Sequence, residues 1–423
     1  MLNRAQQPEF KQVEDINFVK ATKHELANKI PVFEINAGEQ DLIRIEFIFQ
    51  NRGWDVKKPL LPGVTNSMLT EGTHSLSSAQ IASKIDYYGA FFQTEYSQDQ
   101  SSLTLYSLNK YLPQTLPIIK EMLTGSIFPE KELKTFLRNQ KQKLKVGLEK
   151  NSVLARRAFG EALFGDSLYG YATRLSDYDK LDRVDLSAYY KEVYHPANCT
   201  VVMSGKIESS TLSLIDELFG TWDNSEAVDA IDMTYQSSLE KLHYTEKIDA
   251  LQSAIRIGIP LVNRTHPDFI GLQILNTALG GYFGSRLMAN IREDKGYTYG
   301  IGSGIASLQQ AGYFFISTEV GVDVTAATLT EIEKEVNLLK NELIADEELA
   351  LIKNYMMGSL LGSLENAFSH ADKFKNIHFF GLGYDYYERY IQTVKDISPQ
   401  KLRDLANRYW DYDAFYKVVV GKM

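Results

Sequence analysis

The chain has 423 residues and a formal net charge of −9, with 44% hydrophobic and 23% charged residues. This is a globular composition, long enough for two or three domains, and its acidic balance disfavours nucleic acid as a partner because phosphate-binding surfaces are normally basic. No run of about 18 apolar residues predicts a membrane span, and residues 1–18 show no apolar signal-peptide core. With a single cysteine, Cys199, we expect a soluble cytoplasmic protein, or a periplasmic one if a leader has been removed.

Strand and helix patterns alternate along the first half of the chain. Residues 42–49 (LIRIEFIF) show the two-residue alternation of a half-buried strand, and residues 102–108 show it again. Helical spacing is found over residues 77–88, 112–124 and 130–149. Ser77 or Ser78 is the expected N-cap of the first helix, because a serine hydroxyl can accept from a free first-turn N–H group.

The second half repeats this pattern. A strand is predicted over residues 254–259, and Asp346 is the expected N-cap of a long helix. Helical spacing is found over residues 267–279, 324–343 and 346–364.

The two halves are related by a weak internal repeat whose period is just over half the length of the chain. Residues 128–133 (FPEKEL) align with residues 344–349 (IADEEL), and both segments open helical patterns. Farther on, residues 194–206 align with residues 409–422, and each copy ends as a helix, a short loop, an apolar strand and Gly-Lys. Two matches at one offset predict duplicated domains rather than a solenoid, whose repeats are about 20–50 residues long.

The acidic, aperiodic stretch over residues 223–236 is the predicted linker. It divides the chain into an N-terminal domain, residues 1–222, and a C-terminal domain, residues 237–423. Long helices beside antiparallel-type strands predict the α+β class. We therefore expect two homologous α/β sandwich domains, related by internal duplication, each with an antiparallel-type sheet and helices packed on one face.

The histidines do not form a recognisable metal-hydrolase signature, which needs two histidines one helical turn apart and a glutamate on the same turn. His24-Glu25 begins such a motif, but Asn28 takes the second histidine position and a strand pattern follows. His370 and His378 could share a helix face, but no carboxylate partner is evident and a structural role is predicted. Cys199 lies in an apolar strand pattern, which is typical of a buried, unreactive thiol.

A sharper motif lies in the second half, where LGGYFGSRL over residues 279–287 is followed by IREDKGYTY over residues 291–299. A Gly-Gly turn, a short helix and a break at Gly296 would place Arg292 and Tyr299 on either side of the break, able to point the same way. A guanidinium and a phenol so placed can bind carbonyl oxygens of an extended peptide. Taken by themselves, the residues favour the alternative, a surface Arg–Glu pair and a packed tyrosine.

The same run resembles the C-terminal-domain motif of the pitrilysin/insulinase family of zinc metallopeptidases (inverzincins), Gly-Gly…Ser-Arg-Leu…Arg-Glu-x-x-Gly-x-x-Tyr. Residues 252–258 are similar to the opening strand of that family's second domain. In the first half, residues 68–73 (MLTEGT) resemble the segment that follows the family's zinc motif. The resemblance covers most of the chain, and the activity it implies for the family is that of a metalloendopeptidase.

The zinc motif itself is degenerate in this chain. Catalytic members carry His-x-x-Glu-His just before the methionine matched by Met68, so the two histidines fall on Gly63 and Ser67 and the glutamate falls on Asn66. None of the three can replace imidazole or act as a general base. A third ligand from a downstream helical glutamate could only be Glu149, and one carboxylate alone will not retain zinc. The resemblance therefore implies a zinc-less chain that binds no cofactor and does not cleave peptides by itself.

Arg292 and Tyr299, by contrast, keep the family's seven-residue spacing. The resemblance implies that they hold substrate backbone and help to stabilise the transition state in a site that a partner completes. The leading hypothesis is a pseudo-peptidase subunit, similar to the zinc-less alpha subunit of the mitochondrial processing peptidase, whose homologous partner carries the zinc.

Two alternatives remain open. One is a non-catalytic scaffold or peptide-holding homodimer, like the family-related core subunits of a respiratory complex. The other is an active zinc metalloendopeptidase with unorthodox ligands, for which His24 or His74 would have to approach the cleft.

Overall fold

The computed structural model describes residue 13, residues 15–223 and residues 233–423. Part of the predicted linker, residues 224–232, lies outside the described residues, and the predicted boundaries at 222 and 237 stay predictions. Within the described residues, no helix is both long enough and apolar enough to cross a bilayer.

The first half forms one sheet with its strands in the order β1-β2-β6-β3-β5-β4. The strands are β1 (Thr22–Glu25), β2 (Pro31–Asn36), β3 (Leu42–Gln50), β4 (Phe91–Tyr96), β5 (Gln100–Leu108) and β6 (Cys199–Gly205). The helices are α1 (Leu61–Met68), α2 (Ser78–Tyr87), α3 (Leu112–Gly125), α4 (Glu130–Gly147), α5 (Asn151–Phe164), α6 (Arg183–Val193) and α7 (Ser209–Phe219).

The second half forms a sheet with its strands in the order β7-β11-β8-β10-β9. The strands are β7 (Leu242–Glu246), β8 (Gln252–Leu261), β9 (Thr298–Ser307), β10 (Gly312–Gly321) and β11 (Tyr416–Gly421). The helices are α8 (Phe269–Asn276), α9 (Thr325–Asn341), α10 (Asp346–Gly362), α11 (Ala367–His378), α12 (Asp385–Asp396) and α13 (Pro399–Tyr409).

Both sheets are mainly antiparallel, with one parallel pair each, β2 with β6 and β7 with β11. This architecture confirms the predicted α+β class with two homologous units. The predicted cap at Ser77 is correct, because its side chain accepts from the Gln80 N–H in a full capping box. The cap predicted at Asp346 is wrong: Ala345 occupies the N-cap position, and Asp346 is the first helical residue.

The duplication is visible residue by residue. Three helix pairs, α4 with α10, α5 with α11 and α6 with α13, start at one constant offset in the sequence (346 − 130 = 367 − 151 = 399 − 183). The glycines that close β6 and β11, Gly205 and Gly421, have φ angles of 125° and 144°. At each, an added Cβ would come within 2.6 Å of a neighbouring strand. Both positions therefore require glycine, which explains why Gly-Lys ends both copies of the repeat.

Each sheet has one face covered by helices of its own half. On β3, Ile43, Ile45 and Phe47 point into the first-half core and are fully buried. Their spacing of two residues follows from the pleat of the strand, which sends alternate side chains to opposite faces. The residues between them, Arg44 and Glu46, therefore lie on the other face of the sheet.

That other face is covered by a helix from the opposite half. In the first half, α11 packs on β2 and β6, with Phe374 against Phe33 at a ring-centroid distance of 4.7 Å. In the second half, α5 packs on β8 and β11, with the buried Phe159 beside the guanidinium of Arg256. The sequence predicted helices on only one face of each sheet. In the structure, the repeat-equivalent helices α5 and α11 each cover the second face of the other half's sheet, and this exchange joins the two halves.

A cluster of four charged side chains fixes α11 to the first sheet. Arg44 of β3 forms ion pairs with Glu46 at 3.0 Å and with Asp372 at 2.9 Å, and Lys375 pairs with Glu46 and Asp372. Burial by itself would raise the pKa of Asp372, but the charges of Lys375 and Arg44 bring that pKa below its ordinary value. Because opposite charges compensate one another, the buried Arg44 does not carry an unpaired charge.

We expect Phe159→Ala to lower the free energy of unfolding by about 3–5 kcal/mol, the usual cost of truncating a buried phenylalanine. Urea denaturation followed by far-UV circular dichroism measures the change. Val146→Ala, which removes an exposed α4 side chain, is the matched control and should change stability by less than about 0.5 kcal/mol. Equal stabilities for the two variants would contradict the structural role of the exchanged helix.

Candidate functional site

The three degenerate zinc-motif positions share the short helix α1, which begins with Pro62 in its first turn. Gly63 and Ser67 line a pocket of about 320 Å³ together with Tyr96 at the end of β4 and two α4 residues, Phe136 and Gln140. The lining also includes the aromatic side chains of Trp54, Tyr171 and Tyr178. None of the residues that line the pocket carries a charge.

Asn66 does not face this pocket as a free side chain. It is 1% exposed, and its Nδ2 donates to the carbonyl oxygens of Glu95 at 2.7 Å and Ser102 at 3.3 Å. Its Oδ1 accepts from the hydroxyl of Tyr194 at 3.0 Å. The amide therefore ties α1 to β4, to β5 and to the end of α6, which is a structural task.

Gly63 lies under the ring of Tyr96. A Cβ added at Gly63 would be 3.1–3.3 Å from the Tyr96 ring atoms. This is tighter than ordinary van der Waals contact, so a larger residue at position 63 would require the Tyr96 ring to shift by a few tenths of an ångström. Tyr96 therefore fills space that a ligand side chain at position 63 would need.

Glu149 does not reach the pocket. It lies beyond the end of α4, is exposed, and does not line the cavity. The α4 residue that does line it on the next turn from Phe136 is Gln140. Gln140 was not predicted from the sequence because the expected third ligand was a carboxylate. Its four-residue spacing from Phe136 was the available signal that both side chains lie on one face of α4.

The residues at this site do not fit zinc. A structural or catalytic zinc site needs three or four Cys, His, Asp or Glu donors, whereas the polar side chains of this pocket are a serine and a threonine hydroxyl, two glutamine amides, three phenols and an indole. Across the part of the chain that the structure describes, no three such side chains are grouped so as to hold a metal ion.

Three histidines, His24, His370 and His378, and the single cysteine make contacts typical of a structural role. His24 contacts Glu34 on the neighbouring strand at 2.9 Å. Nδ1 of His370 accepts from the Val19 N–H at 3.3 Å, and His378 stacks on Phe374. Cys199 is buried in β6, and burial raises the pKa of its thiol, which disfavours the reactive thiolate.

Arg292 and Tyr299 lie close together at the surface of the second half. Gly296, between them, has φ 68°, which turns the chain from a wide helical turn (Met288–Asp294) into β9. Nε of Arg292 donates to the main-chain oxygen of Tyr299 at 2.9 Å. The contact is thus to the backbone, while the Tyr299 side chain is 95% exposed.

Phe283 completes this surface. Its ring is 65% exposed and stacks under the Arg292 guanidinium at 4.7 Å. The sequence motif contained Phe283 without marking it as a site residue. Its exposure is the signal that sequence alone could not supply, because an aromatic residue after a Gly-Gly turn is as easily buried.

The fold and site define a two-unit α+β protein in which the positions matched to the zinc motif carry non-ligand residues, while an Arg/Tyr pair lies at the surface of the second half. Residues 180–356 match the family model described as "Peptidase M16 inactive domain". A Bacillus subtilis (strain 168) relative, YmxG, described as an uncharacterized zinc protease, is 25% identical over 350 residues, covering 82% of this chain and 84% of its own. A Helicobacter pylori relative described as a non-peptidase homolog is 21% identical and covers 84% and 83%.

Solved structures agree with the fold. The peptidase M16 inactive domain from Pseudomonas fluorescens superposes with a TM-score of 0.86 at 21% identity, covering 95% of this chain and 98% of that one. A protease from Helicobacter pylori superposes with a TM-score of 0.87 at 16% identity, covering 95% and 99%. The family model thus matches one segment of the chain, and the relatives and solved structures extend the similarity to M16-type proteins, the pitrilysin/insulinase type that the sequence motifs resemble, over most of its length.

We expect Asn66→Ala to lower the free energy of unfolding by about 1–3 kcal/mol, because the buried Tyr194 hydroxyl and the Glu95 carbonyl would lose their partner. The measurement is urea denaturation. Tyr194→Phe, which removes only the hydroxyl that donates to Asn66, should cost less. If Asn66→Ala were neutral, the structural assignment of this side chain would have to be abandoned.

Proposed function

We propose that the chain is a non-catalytic, peptide-holding subunit of an M16-type zinc peptidase. In this proposal it works with a homologous second chain that carries an intact zinc motif and the general base. The observation that carries the proposal is the contrast between the two motif regions. Gly63 has no side chain, Asn66 is committed to internal hydrogen bonds and Ser67 offers only a hydroxyl. Arg292 and Tyr299, by contrast, remain at the surface.

The loss of the zinc positions supports the non-catalytic half of the proposal. Gly63 and Ser67 offer no strong ligand, and Asn66 has both ends of its amide bonded inside the protein. The name of the Helicobacter pylori relative, a non-peptidase homolog, points in the same direction. Other relatives bear the name zinc protease. Similarity to this family therefore does not by itself distinguish a catalytic chain from a non-catalytic one.

The surface around Arg292 supports the peptide-holding half. The guanidinium is held in place by the Tyr299 carbonyl on one side and the Phe283 ring on another, so less side-chain entropy is lost when it binds. Tyr299 stands near the start of β9, the last strand in the order of the second sheet. An extended peptide beside that edge could pair with main-chain groups of β9 and receive hydrogen bonds from Arg292 and Tyr299.

The same exposed aromatic surface also favours a second candidate function. Phe283 and Tyr299 together present apolar area of the kind found at protein–protein interfaces. In a scaffold or peptide-holding homodimer, these rings would contact a second copy of the chain.

We further propose a cytoplasmic location, supported by the use of one cysteine, Cys199, in a buried position.

Affinity capture of the protein from its native cell, followed by mass spectrometry, separates these two functions. We expect stoichiometric recovery of a similar-sized chain with an intact His-x-x-Glu-His motif. Recovery of this chain alone would favour the homodimer and leave Arg292 and Tyr299 as inherited features.

Zinc analysis of the pure chain tests the non-catalytic assignment. After incubation with zinc and gel filtration, we expect well under one zinc per chain, because Gly63, Asn66 and Ser67 cannot form a ligand set. Inductively coupled plasma mass spectrometry measures the ratio. One zinc per chain, lost in Asn66→Ala or Glu149→Ala, would show that an unorthodox metal site exists.

With the partner present, we expect Arg292→Ala to lower the kcat of peptide cleavage by about 10²–10³-fold, the usual loss for one transition-state hydrogen-bond donor. Arg389→Ala, at an exposed position on α12, is the matched control and should leave kcat unchanged. A rise in KM with kcat intact would assign Arg292 to substrate binding alone. Cleavage unaffected in both parameters would exclude the proposed role.

A further inference from the structure

A second pocket, of about 350 Å³, lies in the second half between α8, α10, α11 and α12. It occupies the place in the second repeat that the degenerate zinc pocket occupies in the first. The first is lined by α1 and α4, and the second by α8 and α10. Equivalent positions of the two repeats line the two pockets. Gln140 of α4 lines the first and Met356 of α10 lines the second, and these residues are separated by the same offset as the starts of their helices (356 − 140 = 346 − 130).

Two cations line this second pocket, and no carboxylate does. Arg264 and Lys373 both contribute to the wall, whereas no aspartate or glutamate is among the lining residues. Arg264 donates to the Ser307 hydroxyl and to the Asn376 carbonyl and lies over the Phe380 ring. These contacts hold the guanidinium in place without neutralising its charge.

Lys373 is not paired with a carboxylate either. Within the described part of the chain, no ion pair or hydrogen bond is formed by its ammonium group. The adjacent carboxylate, that of Asp372, pairs instead with Arg44 at 2.9 Å and Lys375 at 3.0 Å. The pocket is therefore a locally positive site on a chain whose net charge is −9.

The energetics of this arrangement favour an anionic ligand. Burial lowers the pKa of Lys373 and the charge of Arg264 lowers it further, whereas the charge of the neighbouring Asp372 offsets part of this decrease. Burial also lowers the pKa of Arg264. Partly desolvated like charges without a paired carboxylate are unfavourable, and a bound anion would relieve both the desolvation and the mutual repulsion.

Hydrogen-bond acceptors in the same wall favour a ligand with N–H or O–H donors as well. Gln273 Oε1 and Asn276 Oδ1 are buried and have no partner among the described residues. Both residues lie on α8 one helical turn apart, on the side that lines the pocket. A buried carbonyl oxygen left without a donor costs free energy, so a ligand that donates here gains more than a bare anion would.

We propose that this second-half pocket binds the carboxylate of an α-amino acid residue, with Arg264 and Lys373 as carboxylate partners and Gln273 and Asn276 as acceptors for its nitrogen. The apolar side chains of Ile305, Met356 and Leu360 line the same cavity and provide contact for the ligand side chain. A pocket of 350 Å³ is near the lower end of the range for ligand sites, about 300–1,000 Å³. It suits one or two residues, either a free amino acid or the C-terminal end of a peptide.

The test uses the full chain, alone, in isothermal titration calorimetry. The probes are the twenty free amino acids with their amides, the twenty N-acetyl amino acids with their amides, and inorganic phosphate. We expect at least one carboxylate to bind at least tenfold more tightly than its amide. Binding of an N-acetyl acid identifies a peptide C terminus as the source, and binding of the free amino acid only identifies a metabolite.

Variants connect the binding to the pocket. The Lys373 ammonium has no partner within the described structure, so Lys373→Gln breaks no internal contact. This variant should weaken binding of the best carboxylate at least tenfold, and Arg264→Gln should do the same. Arg389→Gln removes an exposed cation from α12 and should have no effect. The proposal is overturned if no carboxylate binds, if amides bind as well as acids, if inorganic phosphate binds as tightly as the best acid, or if Lys373→Gln leaves affinity unchanged.

Discussion

Both sheets carry apolar side chains on two faces, and each half supplies helices for one face only, so cover for the second face must come from elsewhere. The exchange of α5 and α11 between the halves provides that cover. The far face of each sheet is buried by the repeat-equivalent helix of the other half, with Phe159 and Phe374 as the main aromatic contacts. The charge cluster of Arg44, Glu46, Asp372 and Lys375 then fixes where α11 can lie. Neither sheet is fully buried without the other half.

Two pockets follow from this duplicated plan. Each half builds a cavity between the short helix that follows its central strand and a long helix, α4 in the first half and its repeat mate α10 in the second. The first-half pocket is neutral and aromatic, with Tyr96 over Gly63. The second-half pocket carries Arg264 and Lys373 and no carboxylate. One backbone plan therefore presents two different chemical environments, and neither contains the donor set that zinc requires.

The residues of the surface around Arg292, which are Phe283, Arg292 and Tyr299, do not line either pocket. Its exposure follows from the break at Gly296, which turns the chain outward into the last strand of the second sheet. Phe283 and the Tyr299 carbonyl hold the guanidinium, so the proposed function rests on a positioned donor rather than on a mobile side chain. The proposal of a partner chain rests on the combination of this surface with zinc-motif positions that carry no zinc ligand.

Sequence patterns were sufficient to predict the α+β class and the duplication, because two-residue and helical periodicities and an internal repeat are local or translational signals. The assignment of Gly63, Asn66 and Ser67 to the zinc positions came from the family resemblance and stays a prediction. They also predicted the Ser77 cap, whose chemistry lies within four residues. Tertiary packing was needed to show that α5 and α11 each pack on the sheet of the other half. It was also needed to show that Gln140 rather than Glu149 lines the first pocket, and that Asn66 accepts a hydrogen bond from Tyr194. These features depend on contacts between residues far apart in the chain, whose geometry is set by packing, and no periodicity in the sequence records which distant face a side chain will meet.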